Sequence, residues 1–434
     1  YTANITTYTA DSAKAAVDSV DATTASVDAS KAATTAGSGV SGSTFTLTTA
    51  QDNLTGTANN DTFTANVAAD NLGVATVETL TSLDTLDGGD GTDTLNYVTV
   101  GGAALPAATL TSIEAVNVTS DGAVTADVQN ASSVTTVSGK AVAAAVNIDT
   151  KSNVTDVTVT GTANAVAVDD NGAATTDTLA TVSITGSTGA NALTSDAITT
   201  VNLTSTTGAT TVTAAAGTRA LTANVTNGTG AVLDATATTV NLNSAGTTAN
   251  TTALTATAAT EININASNTK GSTVTATNFT AAKTLNSTGT GALTADVSGA
   301  AALTKVDAST ATGAQTLTIA ATATDVDGGS ANDTITQAAA LGATQNINAG
   351  AGDDKVSLTA ATALTAKAVV DGGAGTDTLV IDDSVANAAA ADTEEKVFSN
   401  FEKIEITDVG ANTTVDMANL DNINYLVSQG IAGA

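Results

Sequence analysis

Histidine, cysteine and tryptophan are missing from this sequence, and proline occurs once. Each absence removes a class of chemistry. Without His or Cys no Ser-His-Asp or Cys-His nucleophile can be assembled. No HExxH zinc site can be spelled, and soft-metal centres lack their ligands. Aromatic residues make up 2% of the chain although 42% of it is hydrophobic, so the apolar content is mostly Ala and Val. A globular core would usually bury larger side chains, whereas a slender two-layer coil does not need them. No segment approaches the roughly 20 apolar residues of a membrane span, and direct membrane insertion is not expected. Positive charge is scarce too: 12 Lys and Arg stand against 42 Asp and Glu, a net charge of −30, and Arg219 is the only arginine. With no basic patch to neutralise phosphates, nucleic acid is not an expected partner. Carboxylate-pair hydrolysis would find its acids but few aromatic platforms for sugars, and no enzyme is expected. The opening Tyr1–Thr2–Ala3–Asn4 has neither Met nor a charged region before an apolar run, which reads as a processed or partial chain.

The acids that are present are biased. Only seven of the 42 are Glu, and tight turns and calcium loops favour Asp over Glu. Two stretches give that bias a form. Val370–Asp371–Gly372–Gly373–Ala374–Gly375–Thr376–Asp377–Thr378–Leu379 and Leu86–Asp87–Gly88–Gly89–Asp90–Gly91–Thr92–Asp93–Thr94–Leu95 both fit G-G-x-G-x-D-x-U-x, the nonapeptide of calcium-binding β-solenoids. Glycines let the turn take left-handed φ and bring carbonyls together, and the aspartate adds the hard oxygen that Ca²⁺ prefers. The apolar residue two positions later starts a strand and points inward. Three degraded copies follow the same spelling. In the first, Gly56 to Asp61, Asp61 fills the aspartate slot and Asn59 replaces a glycine, as the side chain that best tolerates the left-handed region. In the second, Asp327–Gly328–Gly329–Ser330–Ala331–Asn332–Asp333, the third glycine is lost. In the third, Ala349–Gly350–Ala351–Gly352–Asp353–Asp354, the first is lost. The candidate calcium ligands are therefore Asn59, Asp61, Asp87, Gly88, Gly89, Asp90, Gly91, Asp93, Asp327, Gly328, Asp333, Gly350, Gly352, Asp353, Asp354, Asp371, Gly372, Gly373, Gly375 and Asp377. Asp333, Asp354 and Asp377 recur once per coil, which predicts a column along one edge. Calcium is the one cofactor expected.

Between the motifs, short apolar alternations recur about every twenty residues. They include Val116–Asn117–Val118, Val157–Thr158–Val159, Val182–Ser183–Ile184, Val240–Asn241–Leu242 and Ile262–Asn263–Ile264. The longer interval from Val201 to Val240 reads as two coils with Val225 in the middle. This period predicts an all-β, elongated parallel β-solenoid with two or three strands per coil. Thr-x-Thr pairs such as Thr158–Thr160 and Thr211–Thr213 do not recur at a fixed place, so an ice-binding face is not expected. Four segments are predicted. Residues 1–40, with Val17, Val20 and Val27 at helical spacing, form a short N-terminal helix or a linker. Residues 41–102 form a calcium-binding β segment and 103–325 the Ala/Thr/Val-rich solenoid. Residues 326–434 carry calcium-binding coils, and the bulkier 391–409 supplies a closing strand pair or cap.

These residues resemble the RTX (repeats-in-toxin) proteins that Gram-negative bacteria export by type I secretion. The stretch from Leu47 to Phe63, with Leu110–Thr111–Ser112–Ile113–Glu114–Ala115–Val116 and Phe398–Ser399–Asn400–Phe401–Glu402–Lys403–Ile404, is similar to RTX-type surface-layer proteins. The resemblance implies a secreted structural protein of the cell surface that uses Ca²⁺ to fold and self-assembles into a lattice. The partners it implies are further copies of the chain and cell-surface polysaccharide. The alternative is an extracellular filament, adhesin or biofilm-matrix fibre built from calcium-stabilised solenoids. By residue, the calcium role carries to Asp93 and Asp377 with their glycines, and to Asp61, Asp333 and Asp354.

Overall fold

The computed structural model describes residues 42–69, 76–151, 153–162, 164–170, 176–358, 367–382, 397–407 and 423–428. The helix or linker expected over 1–40 lies outside them. The described residues build a parallel β-solenoid of about 15 turns, with coils of about 22 residues and no helix. Strands of two to seven residues carry alternating Val, Leu, Ile and Thr, and the coil bends at the Gly, Asn, Asp and Ser clusters between them. Alternation decides the rest: inward positions are buried and outward ones half-exposed, as in Thr94–Thr99.

Seventeen strands stack in parallel into one sheet. It starts at Thr44–Thr46, runs through Thr62–Ala65, Thr94–Thr99 and Ala115–Ser120, and ends at Val369–Asp371 and Phe398–Ser399. At about 4.8 Å per strand, these 17 strands span roughly 75 Å. Fifteen further strands, from Val124–Asp127 to Tyr425–Ser428, make the second sheet. A three-stranded sheet of Asn53–Thr55, Thr85–Asp87 and Thr109–Thr111 forms a third side near the N-terminal end. The antiparallel hairpin Val67–Ala69 with Thr76–Glu78 is inserted into the second coil.

The core is a set of columns, one residue per coil. Phe63, Leu95, Val116, Val137, Val157, Val182 and Val201 are successive register partners, and all are buried. Small residues suffice because the two main sheets are close. A Cβ at Gly139 would lie 2.9 Å from a Val146 methyl on the facing sheet. The outer face of the large sheet carries amide ladders instead. Asn224 donates to Asn202 and Asn243 to Asn224, each at 2.7 Å. Beside them Asn263 donates to Asn241 at 2.9 Å and Asn286 to Asn263 at 2.7 Å.

The register refines two expectations. The coil between Val201 and Val240 exists, but Val201 pairs with Ala223, and Val225 pairs with Leu203 and Ser244. Because Leu221 pairs with Val240, the stack slides by two residues there. An even slip keeps every side chain on its own face. Of the segment expected as a closing strand pair or cap, residues 397–407 are described, and their two strands do not pair with each other but enter different sheets. Phe398–Ser399 pairs with Val369–Asp371 and Lys403–Thr407 with Thr378–Asp382. Phe398, Phe401, Ile404 and Ile406 are buried in the same core, so residues 397–407 continue the coil stack.

Candidate metal centre

The aspartate-slot residues stand in two stacks, on opposite edges of the large sheet. Near the N-terminal end the turn 88–93 leads into the sheet at Thr94–Thr99, whereas the turn 328–333 leads out of it from Asp325–Asp327. Asp61, Asp93, Asp333, Asp354 and Asp377 are all 0–1% exposed, so their carboxylates fill the inside of the turns. Each takes a backbone N–H from the coil before it. Ser43 N–H donates to Asp61 at 2.5 Å, and Asp61 N–H to Asp93 Oδ1 at 2.6 Å. In the second stack Gln315 N–H donates to Asp333, Asp333 N–H to Asp354 Oδ1, and Asp354 N–H to Asp377 Oδ1, all at 2.7 Å.

The glycines explain how the chain closes around these side chains. Gly89 and Gly91, Gly350 and Gly352, and Gly373 and Gly375 all have positive φ, from 88° to 153°. Gly88 and Gly372 are needed for closeness: a Cβ there would lie 1.9 Å from Ser112 O and 2.2 Å from Asn400 O. Gly328 is in the same position against Ala349 O. Asn59 does not take the left-handed conformation expected of it; its turn closes without one, its N–H held by Thr57 Oγ1 at 3.2 Å. The other candidate acids take no rung in the ladder. Asp87 and Asp371 use Oδ1 to hold the N–H of Gly89 and Gly373, and Asp371 also accepts from Asn400. Asp353 is exposed and accepts Thr376 N–H at 2.9 Å. Asp90 is exposed. Asp327 is half-buried, and burial pushes its carboxyl above the usual range, with Asp325 and Asp307 adding to the effect.

The second carboxylate oxygen sorts the five turns. In the two turns without a left-handed glycine pair it is satisfied locally: Asp61 Oδ2 accepts Thr57 N–H and Asp333 Oδ2 accepts Gly329 N–H. In the three turns with the pair, Oδ2 of Asp93, Asp354 and Asp377 is buried without a hydrogen-bond partner in the chain. A buried carboxylate oxygen in that state is costly. Burial accordingly pushes all three carboxyls up, Asp354 to about 7, against the opposing pull of the backbone N–H in each. Neighbouring carboxylates push the same way: Glu114 on Asp93, Asp333 and Asp377 on Asp354, Glu402 on Asp377. An oxygen-seeking cation would relieve both penalties, so the donor set fits Ca²⁺. Among the described residues no three acids gather as a cluster, and a cation here would depend on backbone carbonyls for most of its ligands.

Several buried or half-buried polar residues went unassigned in the sequence. Glu114 and Glu402 end the two stacks: Asp93 N–H donates to Glu114 Oε2 at 2.7 Å, and Asp377 N–H to Glu402 Oε2 at 2.8 Å. Their spacing of 21 and 25 residues from the last aspartate is one coil, a signal hidden by the change from Asp to Glu. Asp52 and Asp84 form a smaller ladder whose oxygens are met by N–H groups of Thr48, Asp52 and Thr81. Arg219, half-buried, pairs with the buried Asp234 at 2.6 Å, and its other amino group donates to Ile198 O. No protein-family model matches the chain, and no curated protein matches it.

Proposed function

We propose that this chain is a secreted structural protein of the cell surface, related to the RTX surface-layer proteins, that assembles with copies of itself and uses calcium to fix the turns at the two ends of its solenoid. One observation carries the calcium part: the three buried, unpartnered aspartate oxygens fall in the three turns with paired left-handed glycines. Asp93, Asp354 and Asp377 would hold the ion together with carbonyls of the glycine turns. Bound there, calcium neutralises carboxylates that are stacked about one strand spacing apart. The structural part is supported by the absence of His and Cys, by the scarcity of aromatic residues and by a long regular body whose outer face is amide and hydroxyl ladders.

The test is circular dichroism and thermal melting of the purified chain with calcium and with EGTA. Calcium should raise the melting temperature and EGTA should lower it; identical melts would refute the calcium reading. A second reading, end-to-end filaments, is favoured by the last described strand, Tyr425–Ser428, which exposes Tyr425, Leu426 and Val427. Electron microscopy of calcium-loaded protein separates the two, since a lattice gives sheets and the alternative gives fibres.

A further inference from the structure

Both aspartate stacks finish in the same way, and neither finish uses a glycine turn. The closing turn is Ser112–Ile113–Glu114 at one end and Asn400–Phe401–Glu402 at the other. In each, a non-glycine residue takes the left-handed conformation, Ser112 at φ 49° and Asn400 at φ 57°. Its carbonyl presses onto the first glycine of the preceding turn, Gly88 or Gly372. A large apolar residue then plugs the core, Ile113 at 0% and Phe401 at 1% exposure. The glutamate follows and takes the backbone N–H of the last aspartate. From glycine to carboxylate the nonapeptide turn uses six residues (88–93); the closing turn uses three (112–114). The closing turn is thus three residues shorter, and its rung is filled by a side chain one methylene longer than Asp.

We propose that Glu114 and Glu402 are cation ligands, each completing a site between the last nonapeptide turn and the closing turn. The inference rests on the calcium reading above and adds to it two residues outside the nonapeptide spelling. A second observation points the same way. Beside each glutamate lies a fully buried aspartate, Asp93 or Asp377 at 0% exposure, whose Oδ2 has no partner in the chain. Glu Oε2 does what Oδ1 does in each earlier rung, which makes Oε1 the counterpart of that unpartnered Oδ2. A hard cation held between the two carboxylates gives the aspartate Oδ2 the partner it lacks. The same constellation occurs at two separate places in one chain, with different neighbours.

Calorimetric calcium titration of the full chain tests this, using Glu114→Gln, Glu402→Gln and the double variant. Gln keeps the acceptor for the aspartate N–H and removes the charge. A merely structural role therefore predicts unchanged calcium binding. The expected result is the loss of one site, or at least tenfold weaker binding at it, for each substitution, and additive losses in the double variant. Glu114→Asp, one methylene shorter, should weaken it as well. Glu261→Gln, exposed on a mid-solenoid strand away from both stacks, should bind as the parent does. Circular dichroism in EGTA shows whether each variant keeps the parent's metal-free fold. Wild-type stoichiometry and affinity in both Gln variants would overturn this inference alone. A parent chain that takes up no calcium would overturn the calcium reading with it.

Discussion

At the residue scale, the protein depends on carboxylates whose two oxygens do different work. One oxygen accepts a backbone N–H one coil away; the other is either satisfied by its own turn or left for a cation. Asp354 is the sharpest case, with its carboxyl pushed to about 7 chiefly by burial. Held ionised at pH 8 in metal-free protein, it weakens the fold by on the order of a few kcal/mol. Asp354→Asn keeps the Oδ1 acceptor and removes the charge. In EGTA at pH 8 this variant should melt higher than the parent, by about 2 °C or more. With calcium the order should reverse, because the parent alone gains the ion. Melts of both proteins in both buffers check this, and a variant less stable in EGTA would show that the charge is not the problem. Arg219 gives the opposite sign. Its removal leaves Asp234 (1% exposed) without its partner, so Arg219→Ala should cost about 3–5 kcal/mol. Denaturant midpoints measure it, and adding Asp234→Asn should recover part of the loss.

At the element scale, each coil is set by the turn that closes it. Gly373 combines φ 91° with a site where a Cβ would lie 2.0 Å from Gly350 O, whereas Gly101 has φ 68° and nothing within 4 Å. Gly101→Ala should therefore cost only the left-handed strain, about 1–2 kcal/mol. Gly373→Ala must also push two coils apart and should cost more, a ranking that comparative melts will confirm or reverse. This contrast shows what could be read from the amino-acid order. The solenoid was legible because a two-residue alternation nested in a period near twenty has few other solutions, and Val116, Val137 and Val157 fall into one column as the spacing predicts. The slip at Ala223 was not legible, since alternation is blind to even shifts. The aspartate columns followed from the motif spacing. The unpartnered oxygens did not. Asp333 and Asp354 each follow a motif that has lost one glycine, and only the backbone shows which loss matters: Gly350 and Gly352 are left-handed, Gly329 is not. Glu114 and Glu402 escaped notice because a pattern of aspartates does not reveal a glutamate that reaches the same place from a shorter turn.

At the scale of the whole molecule, a solenoid is a nearly one-dimensional stack whose coils hold each other through their neighbours. Interior coils have two neighbours and terminal coils one, so fraying should start at the ends. The aspartate stacks lie there, over Asp61 to Glu114 and Asp333 to Glu402, while the coils between are held by apolar columns and the Asn202–Asn243 and Asn241–Asn286 ladders. The chain carries 42 acids against 12 bases, so terminal coils with uncompensated buried carboxylates are also where self-repulsion acts on the weakest stacking. Calcium should therefore control the ends and leave the middle alone. Hydrogen exchange of the full chain in EGTA should speed up over residues 85–114 and 346–402, with the strands from Asp156–Thr162 to Thr284–Thr288 staying protected. Adding calcium should slow exchange at both ends together, without a change between. Uniform loss of protection along the solenoid would mean one cooperative unit with calcium as a global requirement, and no change anywhere would leave the ions without a structural role.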